Sequence, residues 1–126
     1  MPVQGNKRVL VVVEDLLFVV KIADAAKRSG LEAQFVKTEA DALSAIVEPP
    51  LLVIVDLNAN SVDPVDLITK LKSGNGRRLP VIAFVSHVQG ELKQRAHDAG
   101  ADMVMARSAF STNLPQILKR HAGSYS

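Results

Sequence analysis

The sequence predicts an α/β fold: one doubly wound, three-layer domain with a five-stranded parallel sheet and helices on both faces. Two observations carry this expectation. Five short runs rich in Val, Ile and Leu alternate strictly with five segments whose apolar residues recur at helical spacing. The clearest runs are continuously apolar, as strands buried on both faces should be. Short connections and right-handed crossovers then place helices on each side of the sheet.

The first strand is Val9-Leu-Val-Val-Val13. Asp15 can cap the helix that follows, which carries Val19, Ile22, Ala23 and Ala26 and ends at Gly30. Residues 32–37 form a short second strand, with Ala33 and Phe35 on one face and Val36 on the other. Thr38 caps a helix bearing Ala42, Leu43, Ala45 and Ile46, stopped by Pro49-Pro50. The third strand, Leu51-Leu-Val-Ile-Val55, ends on Asp56. A loop through Asn58, Asn60 and Ser61 reaches Asp63-Pro64, an N-cap followed by a first-turn proline. Val65, Ile68 and Leu71 mark that helix, and Ser73-Gly-Asn-Gly76 breaks it. Val81 to Val85 is the fourth strand, ending on Ser86; Leu92, Ala96 and Ala99 define the next helix, closed by Gly100. Met103-Val-Met-Ala106 is a weaker fifth strand beside Arg107. The last helix carries Leu114, Ile117 and Leu118, and Pro115 is expected in its first turn, where the missing N–H costs nothing. Residues 122–126 read as a frayed tail.

The chain has 126 residues, 48% hydrophobic and 22% charged, which suits one globular domain with a proper core. The absence of cysteine excludes thiolate metal sites, disulfides and thiol nucleophiles. Fifteen Lys and Arg against thirteen Asp and Glu give a net charge of +2, with no block of like charge. With no tryptophan and no basic helix face, nucleic-acid binding is not expected. No apolar run is long enough to span a membrane, and residues 1–8 lack a secretory core, so the expectation is a cytoplasmic chain.

In doubly wound sheets, ligands gather outside the carboxyl ends of the strands. Here those ends carry Glu14 and Asp15, Asp56, Ser86 and, near the fifth strand, Arg107. Gathered carboxylates repel, and a hard cation such as Mg²⁺ is the usual remedy. A carboxylate, a metal, a hydroxyl and a fixed cation are also what phosphoryl transfer to an aspartate requires.

These residues, in this order, resemble the response-regulator receiver domain over residues 7–121, leaving 1–6 and 122–126 as short tails. Ala99-Gly-Ala-Asp102 before the fifth strand is similar to that family's alanine-glycine-alanine signature, and the interval from Asp56 to Ser86 is close to the usual one. The resemblance implies strand order 2-1-3-4-5 and a non-enzymatic, stand-alone phosphorelay module. It implies Asp56 as phosphoacceptor, assisted by Ser86 and Arg107. It implies Mg²⁺ held by Glu14, Asp15, Asp56 and the backbone carbonyl of Asn58. Its partners would be a histidine kinase or phosphotransfer protein and a downstream protein, with the domain a monomer or weak homodimer. Leu92, Arg95, Met103, Met105 and Leu114 are the expected contact surface.

Departures from the pattern open an alternative. Arg107 stands where the family has lysine, a longer and forked cation that is not equivalent at a phosphate site. Ser108 replaces a proline whose peptide is usually cis, His87 narrows access beside Ser86, and the fifth strand lacks its usual aromatic. The alternative is an adaptor or dimerisation module that keeps the fold without phosphorylation. Each residue also has a plainer role: Asp15 as a helix cap, Glu14 as a solvated strand end, Ser86 bonding its own loop, Arg107 paired with Asp102 or Glu14 at the surface. His87 and His97 read as surface residues, and Gly74 to Arg78 as a loop at the wrong end for a phosphate cradle. A flavin or nucleotide domain of similar shape would need a phosphate loop where Glu14 to Phe18 stand. A hydrolase is not expected either: no histidine or cysteine reaches the predicted site except His87.

Overall fold

The computed structural model describes residues 7–73, 79–86 and 90–123. The five strands are β1 (Arg8–Val12), β2 (Glu32–Phe35), β3 (Leu52–Asp56), β4 (Val81–Val85) and β5 (Met103–Ala106). The helices between and after them are α1 (Leu16–Arg28), α2 (Glu39–Ala45), α3 (Pro64–Leu71), α4 (Gly90–Ala99) and α5 (Arg107–Gly123). All pairings are parallel and the order is β2-β1-β3-β4-β5. The order steps outward from β1 in both directions, so a switch point opens between β1 and β3 at their carboxyl ends.

The apolar runs explain the layering. Alternate residues of a strand face opposite sides, so a continuous run feeds two cores. Leu10, Val12, Val53, Val55, Val81 and Ala83 join Ala42, Leu67, Ile68, Leu71 and Ala96 under α2, α3 and α4. Val9, Val11, Ile54, Ile82 and Phe84 join Phe18, Ile22, Phe110 and Leu114 under α1 and α5. Phe18, Phe84 and Phe110 stack in that second core, with centroids 5.1, 4.5 and 6.1 Å apart.

Three caps are as expected: Asp15 accepts from the Leu17 amide, Thr38 from Asp41 and Asp63 from Asp66. The buried stripe of α1 is Phe18, Ile22 and Ala26, rotated from the expected one: Ala23 is exposed, and Val19 is only half-buried. Pro115 requires a correction. It lies well inside α5, because the helix begins directly at Arg107 with no intervening loop. The proline ring faces solvent while Phe110, Leu114, Ile117 and Leu118 are buried. Each buried side chain contributes about 1.5–3 kcal/mol, so two of them offset the roughly 3 kcal/mol that an interior proline costs. Leu114 is also corrected: it is a core residue under the sheet, not part of a contact surface. The helix includes Ala122 and Gly123, which the sequence placed in the tail. Gly74 to Arg78 lie outside the described residues, as does His87. No helix among the described residues is long and apolar enough to cross a membrane.

Candidate functional site

Asp56 ends β3 at the switch point, and it is the one buried charged side chain among the described residues, 8% exposed. It stays at the edge because β3 is apolar on both faces and pairs with strands on both sides. Asp56 Oδ1 accepts the Asn58 amide at 2.8 Å, which fixes the carboxylate's rotation. Burial pushes its carboxyl above the ordinary aspartate range; the Asn58 amide and the Arg107 charge pull it back, and Glu14 and Asp15 push it further up.

Asn58 contributes its side chain as well. Its Oδ1 accepts from the Ser86 amide at 2.6 Å and from the Ser86 hydroxyl at 2.8 Å. The loop after β3 is thereby tied to the end of β4. Ser86 bonds this amide oxygen, a partner the sequence did not indicate.

Glu14 is not a solvated strand end. Its two carboxylate oxygens accept the amides of Asn60 at 3.1 Å and Ser61 at 2.5 Å, so it clamps the same loop from the β1 side. The Ser61 hydroxyl, followed by those two amides, holds its carboxyl below the usual range. Asp15 has two partners at once. One oxygen caps α1 through the Leu17 amide at 2.9 Å, and the other accepts from Arg107 Nη2. The Leu17 amide first, and then Arg107, keep its carboxyl low.

Arg107 resolves its open alternatives in an unexpected way. It turns into the acidic corner but pairs with Asp15, rather than with Asp102 or Glu14. Asp102 lies at the other end of β5, where its carboxylate accepts Lys72 Nζ at 3.0 Å and the Val81 amide at 2.8 Å. The Arg107 guanidinium carbon sits 4.5 Å from the centre of the Phe18 ring, a cation–π contact. Phe18 was missed as a site residue. Its signal was available, since it lies one helical turn after Asp15 at the start of α1.

The expected metal set therefore does not fit as arranged. Both oxygens of Asp15 and both of Glu14 are engaged, and no three His, Asp or Glu side chains among the described residues form a group that could hold a metal ion. Asp56, Ser86, Asn58, Asp15 and Arg107 do share one edge of the sheet. His97 is exposed on α4, away from that edge.

The architecture is that of receiver domains. The structure of the phosphorylated cyanobacterial phytochrome response regulator RcpA superposes with a TM-score of 0.75 at 21% identity, covering 92% of this chain and 91% of that one. The receiver domain protein from Methanospirillum hungatei, described as CheY-like, gives 0.78 at 19% identity over 95% and 96%. The Mn²⁺-bound response regulator Rcp1 gives 0.73 at 16% identity over 90% of each chain. No protein-family model and no curated protein sequence matches the chain. At these identities the likeness establishes the fold: a five-stranded receiver fold of the CheY-like type.

Proposed function

We propose that this domain belongs to a two-component signalling system and receives a phosphoryl group on Asp56. The donor is a histidine kinase or phosphotransfer protein, and the output is contact with a downstream protein. The observation that carries this reading is the carboxylate of Asp56 at the switch point, the one buried carboxylate among the described residues, oriented by the Asn58 amide. In the transfer, an ionised Asp56 oxygen bonds to phosphorus while the phosphorus–nitrogen bond of the donor's phosphohistidine breaks, and the imidazole leaves with that electron pair. The Ser86 hydroxyl stands ready to bond a phosphoryl oxygen if it exchanges its Asn58 partner. Arg107 supplies positive charge from the Asp15 side. The Mg²⁺ expected from the resemblance finds the carboxylates of Glu14 and Asp15 already engaged, so no step is assigned to it.

The specific observation favouring the alternative, an adaptor that works without phosphorylation, is the same closed arrangement of Asp15 and Arg107. The two readings separate on intact mass. After incubation with acetyl phosphate and Mg²⁺, the wild-type chain should gain one phosphoryl group, and Asp56→Asn should gain none. A wild-type chain that stays unmodified under these conditions leaves the adaptor reading in place.

A further inference from the structure

We propose that Arg107 is a built-in cation that occupies the acidic corner in place of a divalent metal, so that guanidinium and metal are mutually exclusive partners of Asp15. The inference deepens the receiver reading and rests on it only for the identity of the corner. Three observations point to it.

The first is the engagement of Asp15, whose two oxygens are divided between the α1 amide of Leu17 and the Arg107 guanidinium. A metal needs at least one of these oxygens. The capping bond belongs to the helix itself, so the oxygen on Arg107 is the one open to exchange. The second is the support beneath the guanidinium. Arg107 lies over the Phe18 ring, and Phe18 is stacked on Phe84 and Phe110 in the core. Its side chain is only 33% exposed. The cation is therefore placed by packing as well as by charge, unlike a surface arginine paired by chance. The third is the start of α5 at Arg107 itself, directly after β5. With no loop between them, the backbone from which the side chain projects is set by the β4–β5 pairing.

Chemically, the guanidinium performs the metal's neutralising role without its coordination. It offsets the charge of Asp15 and reaches Asp56 through the field, but it donates hydrogen bonds and cannot accept phosphoryl oxygens as ligands the way a metal does. A metal that takes Asp15 as a ligand must first displace Arg107 from it, and that displacement weakens binding.

The test is calorimetric titration of the full chain with MnCl₂ alone, paired with broadening of the Asp15, Asp56 and Asn58 amide resonances by the same ion. Arg107→Met keeps most of the contact with Phe18 and removes the charge; thermal melts of each variant verify folding. The expected result is that Arg107→Met binds Mn²⁺ at least tenfold more tightly than wild type. Adding Asp15→Asn to that variant should abolish the gain. Equal affinity in wild type and Arg107→Met overturns the proposal, as does a gain that survives Asp15→Asn, because the arginine would then act only as a distant charge. Should Arg107→Met fold poorly, Arg107→Gln replaces it under the same criteria. The mass experiment on Asp56 is independent: a chain that is never phosphorylated can still show this exchange of cations, and a phosphorylated one can fail to.

Discussion

At the residue scale the most informative group is Asp56, a carboxylate with little water and one fixed amide donor. Because its carboxyl titrates above the ordinary range, the folded state holds the proton more tightly than the unfolded chain. The ionised form therefore costs stability above the folded pKa, and that cost is relieved as pH falls through it. Asp56→Asn should accordingly stabilise the domain at neutral pH, because the uncharged amide loses less on burial than the ionised carboxylate does. The advantage should shrink on acidification and vanish near the unfolded value of about 3.9. Urea midpoints for both proteins at several pH values measure this; a difference constant with pH contradicts it. Glu14 and Asp15 behave oppositely, since their lowered carboxyls favour the fold above the unfolded carboxylate range and lose that effect as pH falls from there through the folded pKa. The positions of Asp56 and Ser86 were legible in sequence because each ends an apolar run, and a run's end has a known place in a parallel sheet. The partnership of Arg107 with Asp15 was not legible. It spans 92 residues and depends on the side-chain reach set by a stacked ring, which no local pattern encodes.

At the element scale, strands were legible and helix phase less so. Continuous valine and isoleucine runs have few alternatives, whereas a helix with several apolar residues admits more than one buried stripe. In α1 the aromatic stack selected Phe18, Ile22 and Ala26, and left Leu16, Leu17 and Val20 exposed at 68–79%. Tertiary packing decided the phase. In α5 it also overrode a local breaker. Pro115 has no N–H for the carbonyl one turn back, and Asn113 Nδ2 donates to the Ala109 carbonyl at 2.8 Å just before it. Pro115→Ala should return the missing bond and raise stability by about 1–3 kcal/mol, read as a shift of the urea midpoint with unchanged slope. The opposite sign is expected at Gly100, which ends α4 with φ of 117°. A methyl group there would approach Lys72 Cγ to 3.0 Å in addition to the backbone strain. Gly100→Ala should lower stability by about 1–2 kcal/mol in the same assay.

At the scale of the whole molecule, the sheet divides the interior into two cores that do not close together. The core under α2, α3 and α4 draws its helices from the middle of the chain, while the other needs both α1 and α5. A chain ending at Ala106 should therefore retain one packed face and, on the other, keep α1 but leave Ile82 and Phe84 of β4 without the cover of α5. Such a truncation should bind the dye ANS strongly and lose the cooperative thermal transition of the intact domain; a cooperative, dye-silent truncation contradicts this account. The same arrangement has a consequence for biosynthesis. During translation every strand of the sheet is made before the helix that carries Phe110, Leu114 and Leu118, so the nascent chain presents a greasy half-sheet until α5 leaves the ribosome. Quality-control factors that hold hydrophobic surface have their best opportunity in that interval. Substitutions in α5 should accordingly reduce the yield of folded protein in the cell more than their effect on the stability of the finished domain indicates.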